Sequence, residues 1–377
     1  MIKIILLIFK TSMLTLLILL VALTIATIAF MQQAKFGQAA NGERLKRLQA
    51  SPNYKNGSFQ NISHTPDLTE GVSYYAVIKD FLFGDYKRKQ PTDNIPSVKT
   101  DLLSLNPQED VLVWFGHSSY FIQTSGKTIL VDPVFSGAAS PLSFTTKAFK
   151  GTDGYKPEDF PEIDYLFISH DHWDHLDYET IIKLKSKIKH VYCGLGTGAH
   201  FVRWGFDTAK ITEMDWNDSV NLNNGFAIHA VTARHFSGRG FIRNRALWTS
   251  FVLQTPTLRL FLGGDSGYDK HFADIGNTYG PFDLAILENG QYDKSWKYIH
   301  MQPSEVLQAA IDLKAKQLFP VHSSKFNLGN HAWDDPLKTI TELNKSIHLP
   351  LLTPIIGEQV NLKDSTRVYN EWWTGLN

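Results

Sequence analysis

The segment Asp164–Asp177 reads DYLFISHDHWDHLD, an apolar, strand-like run over Asp164–Ser169 that empties directly into His170, His172, Asp174 and His175. Folding alone has no use for such a cluster. Imidazole and carboxylate are the donors that borderline divalent metals such as zinc prefer, and one tight loop lets several of them point into the same space. His170 and His172 can serve one ion, and Asp174 and His175, displaced along the loop, can serve another. Two-metal hydrolytic sites hold their ions roughly 3.5 to 4 Å apart.

A single loop cannot complete two coordination spheres, so two ions require further His or Asp residues at strand ends downstream. His235 follows Phe226–Thr232 in TARHFSGRG, Asp265 follows Leu258–Leu262 in FLGGDSG, and His322 follows Gln317–Phe319 in FPVHSSK. Each alone could equally be structural. Asp265 is the strongest of them, because a carboxylate can bridge two ions and Gly263-Gly264 let the backbone come close.

Around these residues, from Asp110 onward, lie short β-rich runs: DVLVWFG, SYFIQT, KTILVD, HVYCG, FAIHAVTA, TSFVLQT, LRLFLGG and FDLAILENG. Helical patterns interrupt them at Asp177–Lys187, with Asp177 suited to the N-cap, at Pro303–Lys316, and at Pro336–Ser346. Strand groups separated by helices predict two packed sheets with helices outside, and a site along the edge where strands end in loops.

The HxHxDH loop, the later His, Asp and His at strand ends, and their order resemble the metallo-β-lactamase superfamily. Within it, WFGHSSYFIQTSGKTILVDPVFS, ISHDHWDHLD, ARHFSGRG, GGDSGY, FDLAILENGQY, HMQPSE and PVHSSKFNLGNHAWDDP look closest to one branch. It contains N-acyl-phosphatidylethanolamine-hydrolysing phospholipase D and bacterial RomA-like metallohydrolases. The resemblance spans about Val111 to Pro336 and implies an α/β fold, the four-layered αββα sandwich. It also implies one zinc held by His170, His172 and His235, a second held by Asp174, His175 and His322, and Asp265 bridging both. Two stretches beside the expected cleft depart from the pattern. The phospholipase has apolar and small residues in place of Glu288-Asn289, and its relatives an aromatic and a glycine in place of Ser323-Ser324.

Two divalent ions, here expected to be zinc, lower the pKa of a shared water towards neutrality, so the expected nucleophile is a metal-bound hydroxide. Asp174 and Asp265 would orient it. No Ser-His-Asp or Cys-His pattern offers a protein nucleophile, and the GLGTG at Gly194–Gly198 lacks the ending of a phosphate loop and reads as a turn. His300, in YIHMQPSE, is the candidate for acid catalysis or substrate contact, or else caps the helix that follows. Tyr292 and His331 are candidates for phosphate or head-group contacts. His117 resembles the histidine that the family places beside its metals to orient a ligand by hydrogen bonding; Asp132, in VDPV, could act likewise or simply cap a turn. His64, His190, His200, His229, His271 and His348 read as ordinary surface or core histidines.

The chain has 377 residues, long enough for one large domain, and 43% are hydrophobic. Lys plus Arg and Asp plus Glu both number 37, so no net field recruits nucleic acid. The single cysteine, Cys193, excludes an internal disulfide and reads as a buried strand thiol. Met13–Phe30, MLTLLILLVALTIATIAF, is an uncharged 18-residue run behind Lys3 and Lys10. It is long enough to cross a bilayer as a transmembrane helix, and a cleaved signal peptide is the competing reading. Residues 1–31 are thus an anchor or a signal, 32–105 a loop-rich arm, and 106–377 the hydrolase domain. Lys3 and Lys10 precede the run while Lys35, Arg44, Lys46 and Arg47 follow it, so the positive-inside rule sets the orientation only weakly, leaning to a catalytic domain outside the cytoplasm. Within the arm, Tyr74–Lys89 joins apolar residues to Lys87, Arg88 and Lys89, either as a lipid-surface contact or as a segment packed on the main domain. The expected function is phosphodiester hydrolysis of a membrane phospholipid, N-acyl-phosphatidylethanolamine or a relative. A lactonase, amidase or soluble phosphoesterase, or a non-catalytic anchored binding protein, are the alternatives.

Overall fold

In the computed structural model, which describes residues 1–377, the chain opens with the long helix α1 (Ile2–Met31). The short α2 (Gly42–Ala50), the hairpin β1 (Tyr54–Lys55) and β2 (Ser58–Phe59), and α3 (Tyr74–Phe83) follow. The body then runs β3 (Val111–Trp114), β4 (Tyr120–Thr124), β5 (Lys127–Val131), β6 (Ile163–Ile168), α4 (Tyr178–Leu184), β7 (Ile188–Gly194), α5 (Gly198–Arg203) and β8 (Ile211–Met214). Its second half is β9 (Ser219–Asn221), β10 (Ala227–Val231), β11 (Ser250–Gln254), β12 (Arg259–Leu262), α6 (His271–Tyr279), β13 (Leu284–Glu288), α7 (Pro303–Asp312), β14 (Leu318–Val321), α8 (Asp335–Asn344) and β15 (Gln359–Asn361).

Two sheets form, ordered β15-β3-β4-β5-β6-β7-β8 and β14-β13-β12-β11-β10-β9. Each begins with antiparallel strands and ends with parallel ones, β5 to β8 in the first and β12 to β14 in the second; helices join the parallel neighbours except β5 and β6, which a long loop connects. The strands alternate sides with period two, and both sides are apolar. Ile129, Val131 and Phe167 of the first sheet meet Ile228, Phe251, Leu262 and Ile286 of the second in the inter-sheet core. The alternate residues Leu130, Leu166 and Ile168 face Ile181, Leu184 and Phe201 of α4 and α5. On the far side Phe261, Ala285 and Leu287 face Phe272, Val306, Leu307 and Ile340 of α6, α7 and α8. The layers are therefore helix, sheet, sheet, helix, the αββα sandwich expected.

The helices begin where their caps dictate. Asp177 accepts a hydrogen bond from the Glu179 amide, and the Glu305 carboxylate accepts from the Gln302 amide at 2.8 Å at the start of α7. The arm is more ordered than its loop-like composition predicts. Asn56 and Gly57 both take positive φ, the two-residue turn that Asn-Gly favours, and Phe59 and Leu48 pack with Trp216 and Trp248 of the body. Helix α1 buries none of its residues, and an 18-residue window of it has a mean hydropathy of 2.7.

Candidate metal centre

The parallel strands deliver the candidate ligands to one edge. The loop Ser169–His175 leaves the end of β6, and Asp265 and His322 lie just beyond β12 and β14. Strand β10 runs in the direction of β12, both being antiparallel to β11, so His235 beyond its end reaches the same edge. Asp132, just after β5, sets the loop: its Oδ1 accepts from the Ser169 amide at 2.8 Å, and its Oδ2 pairs with His175 Nδ1 at 2.8 Å. Asp132 thus caps the turn and also aims His175 Nε2 inward, so its two readings describe one residue. His117, Asp132 and His322 all hold positive φ, a costly conformation for residues with a Cβ and one that gathers at functional sites.

His170 Nε2 lies 2.8 Å from His172 Nδ1, which lies 3.3 Å from His235 Nε2, so three ring nitrogens meet at one point. Asp265 sits between this triad and the other residues. Its Oδ2 is 3.9 Å from His170 Nε2, 3.7 Å from His235 Nε2 and 3.2 Å from His175 Nε2, and its Oδ1 is 3.2 Å from His322 Nδ1. Asp174 Oδ2 is 3.4 Å from His175 Nε2 and pairs with His117 Nε2 at 2.8 Å, while the His117 ring lies 4.1 Å from that of His322. The donor atoms of His117, Asp174, His175 and His322 fall within 4.8 Å of one another, as do those of His170, His172 and His235.

Burial holds the imidazoles of His170, His235 and His322 well below their usual pKa, as neutral donors. For Asp174 and Asp265 burial acts upward, but the surrounding histidines outweigh it and keep both carboxyls well below the usual range. Neutral imidazole and ionised carboxylate are the states that ligate metals. His175 Nε2 and Asp265 Oδ1 are buried, aimed into the cluster and satisfied by no hydrogen bond. A cation there would answer both atoms, so the donor set fits a metal.

Over the cluster lies a cleft of about 340 Å³. One wall is the N-terminal arm, through Asp67, Leu68, Tyr74 and Val77; Phe236, Arg243, Trp296 and Ile299 form others. His300 lines this cleft. Because Gln302 caps α7, His300 is free to face the centre, its ring 5.0 Å from that of His235 and 5.2 Å from that of His322. Behind it, Glu288 Oε2 lies 3.4 Å from His300 Nδ1, and Glu288 Oε1 accepts from the Met301 amide at 2.6 Å. Burial raises the Glu288 carboxyl to about 7.

Tyr292 and His331 do not reach the cleft. The Tyr292 hydroxyl donates to Asp335 Oδ2 at 2.5 Å, and both His331 nitrogens are engaged, by the Gln291 amide and the Ala332 carbonyl. Their neighbour Gln291 lines it instead. The GLGTG turn has its amides occupied, since Glu213 Oε1 accepts from Gly196 and Gly198. His200, ordinary by sequence, bridges the amide of Gln38 and Asp171 Oδ2 beneath the metal loop. Its pattern carried no signal, because both partners are remote in the chain.

A model of the beta-lactamase superfamily domain matches residues 127–323, just over half of the chain. The chain belongs to the metallo-β-lactamase superfamily. An uncharacterised Mycobacterium tuberculosis protein is 33% identical over 327 residues, which cover 86% of this chain and 87% of the relative. The Caenorhabditis elegans N-acyl-phosphatidylethanolamine-hydrolyzing phospholipase D 1 is 30% identical over 301 residues, 72% of this chain and 80% of the relative. Klebsiella pneumoniae outer membrane protein RomA is 52% identical over 106 residues, 28% of this chain and 80% of the relative. Among solved structures, a metallo hydrolase from Ignicoccus hospitalis has a TM-score of 0.51 at 19% identity, covering 67% of this chain and 98% of its own. The diiron β-hydroxylase CmlA from Streptomyces venezuelae has 0.51 at 18%, covering 68% and 55%. These structures share the fold. As a metallo-β-lactamase superfamily metallohydrolase, the chain has its His/Asp cluster where metals can be held.

Proposed function

We propose that this metallohydrolase is a phosphodiesterase of phospholipase D type acting on N-acyl-phosphatidylethanolamine or a related phospholipid. The observation that carries the proposal is the cleft. Its metal-ligand floor is walled by the start of α3, whose Tyr75, Phe81 and Phe83 are among the most exposed aromatic residues of the arm, at 74%, 67% and 79%. Water-exposed aromatics beside a hydrolytic site suit a lipid surface. The similarity to the C. elegans phospholipase over most of both chains supports the same substrate class.

In this reading residues 1–31 anchor the chain in a membrane, 32–105 form the wall of the cleft, and 106–377 carry the chemistry, outside the cytoplasm. His170, His172 and His235 would hold one zinc and Asp174, His175 and His322 another, with Asp265 available to both. When bound, the two ions supply an activated water and neutralise charge developing on the phosphodiester. The protein's own part is positional. Asp132 fixes His175, His117 fixes Asp174, and the two ionised carboxylates Asp174 and Asp265 orient the attacking water. His300 stands on the cleft side of the cluster, where it can deliver a proton to the leaving alcohol.

The test is an assay of the purified full chain reconstituted with zinc on N-acyl-phosphatidylethanolamine vesicles, followed by lipid extraction. Release of phosphatidic acid by the wild type and none by His170→Ala is expected. Turnover of soluble lactones with no lipid product would refute the proposal.

A further inference from the structure

The C-terminal turn of α1 does not end in open solvent. It connects to the loop Ser169–His175 through Phe36. The Phe30 ring lies 5.3 Å from that of Phe36, and Phe36 lies 5.1 Å from Trp173, the residue between His172 and Asp174. The Arg239 guanidinium stacks 3.9 Å above Trp173. Beside this contact runs a groove of about 430 Å³, open on one side and lined by Thr27, Phe30 and Met31 of α1 together with Trp173, Phe236 and Arg243. The end of the Met31 side chain packs on Gly240, its Cε 2.8 Å from where a Cβ would stand. Phe241 and Ile242 form an uncovered apolar rim, 82% and 65% exposed.

Phe236 and Arg243 line this groove and the metal cleft alike. The Phe236 ring is 4.5 Å from that of His172 and 4.7 Å from that of His235. Arg243 is half-exposed, lies 4.6 Å over Phe236 and stands 3.6 Å from the half-exposed carboxylate of Asp67, a loose pair that an incoming phosphodiester would have to displace. An apolar path therefore leads from the end of α1 to the metal ligands, with a cation where the two spaces join. A groove that opens against the end of a bilayer-length helix is supplied from the phase that surrounds the helix, and that phase is lipid acyl chain. Arg243 at the junction suits the anionic phosphodiester that follows such a chain.

We propose that the groove binds one acyl chain of the phospholipid substrate, led along Thr27, Phe30 and Met31 from the membrane, while Arg243 meets the phosphodiester entering the cleft. This inference rests on the phospholipid reading above and adds where the chain lies. It makes the N-terminal helix part of the substrate site as well as a tether.

The experiment uses the full chain in phosphatidylethanolamine vesicles. Thr27→Trp fills the groove from the helix, remote from the folded core, and Ile28→Trp places the same bulk on a position that does not line it. Activity is compared on N-acyl-phosphatidylethanolamine with long chains and on its short-chain, water-soluble analogue. Thr27→Trp is expected to lower the long-chain to short-chain ratio of kcat/KM about tenfold, the loss of roughly two buried methylene groups. Ile28→Trp should keep the wild-type ratio. In parallel, a long-chain lipid with a diazirine at the acyl terminus should label residues 27–31 or 236–243. An unchanged ratio in Thr27→Trp, or labelling confined to α3, would overturn the groove while leaving the phospholipid activity standing. A wild type that turns over neither lipid would overturn both.

Discussion

Glu288 and His300 face each other at 3.4 Å inside the wall of the cleft, Oε2 to Nδ1, and neither atom has another partner. Glu288 is also bonded through Oε1 to the amide that follows His300. A carboxylate held on both the ring and its backbone fixes the ring's direction. Removing it with Glu288→Gln is expected to lower kcat about tenfold to a hundredfold while metal content stays at the wild-type level. A double-mutant cycle with His300→Ala checks the coupling. Fully additive losses would show that Glu288 does not act through His300.

Asp132 joins the start of the metal loop to His175. Asp132→Ala frees the ring and removes the acceptor for the Ser169 amide. Metal affinity is expected to fall about tenfold to a hundredfold, as it does when partners of metal-ligating histidines are lost. Competition with a fluorescent zinc chelator measures it, and wild-type affinity in the variant would contradict the positioning role.

Arg239 ties three segments together. Its guanidinium donates to the carbonyls of Asp171 and Leu176 at 2.9 and 2.7 Å and to that of Lys35 at 2.8 Å, and it is 5% exposed. Arg239→Ala strands these buried carbonyls and is expected to destabilise the protein by about 2 to 4 kcal/mol. Chemical denaturation of the purified chain checks this; a loss under about 0.5 kcal/mol, the level of an ordinary surface change, would refute it.

Lys325 is fully buried, donating to the carbonyls of Phe115 and Val134, and burial lowers its ammonium to about 8. The unfolded chain holds this proton up to about 10.4, so between these values the unfolded state binds more protons and stability rises with pH. Relative to Lys325→Met, the wild type should therefore gain on the order of 2 kcal/mol from pH 8 to pH 10 in urea denaturation. A difference that is flat or falls over that window would contradict the burial effect.

Much of the centre was legible because its chemistry is local. His170, His172, Asp174 and His175 sit within one loop, and His235, Asp265 and His322 each lie where a strand empties into a loop containing Gly or Ser. The alternation of Ile129, Leu130 and Val131 announces a strand apolar on both faces, hence sheets with partners on each side. The hairpin at Asn56-Gly57 was not legible: the stretch reads as a loop, because its two-residue strands are too short to show alternation against a polar background.

What only the tertiary structure decided are the relationships between residues remote in the chain. Tyr292 and His331 carry the right chemistry for a head group, yet Asp335 and the Gln291 amide already satisfy them. Glu288 and His200 carry no local signal, because their meaning lies in His300 and in the link from Gln38 to Asp171. The arm walls the cleft, and α1 reaches the metal loop through Phe36 and Trp173. By itself the sequence determined which side chains can ligate and which strands hold them, since ligand chemistry and period-two burial are properties of single segments. The fold decided which of those side chains meet, since a contact across long loops leaves no pattern in either segment alone.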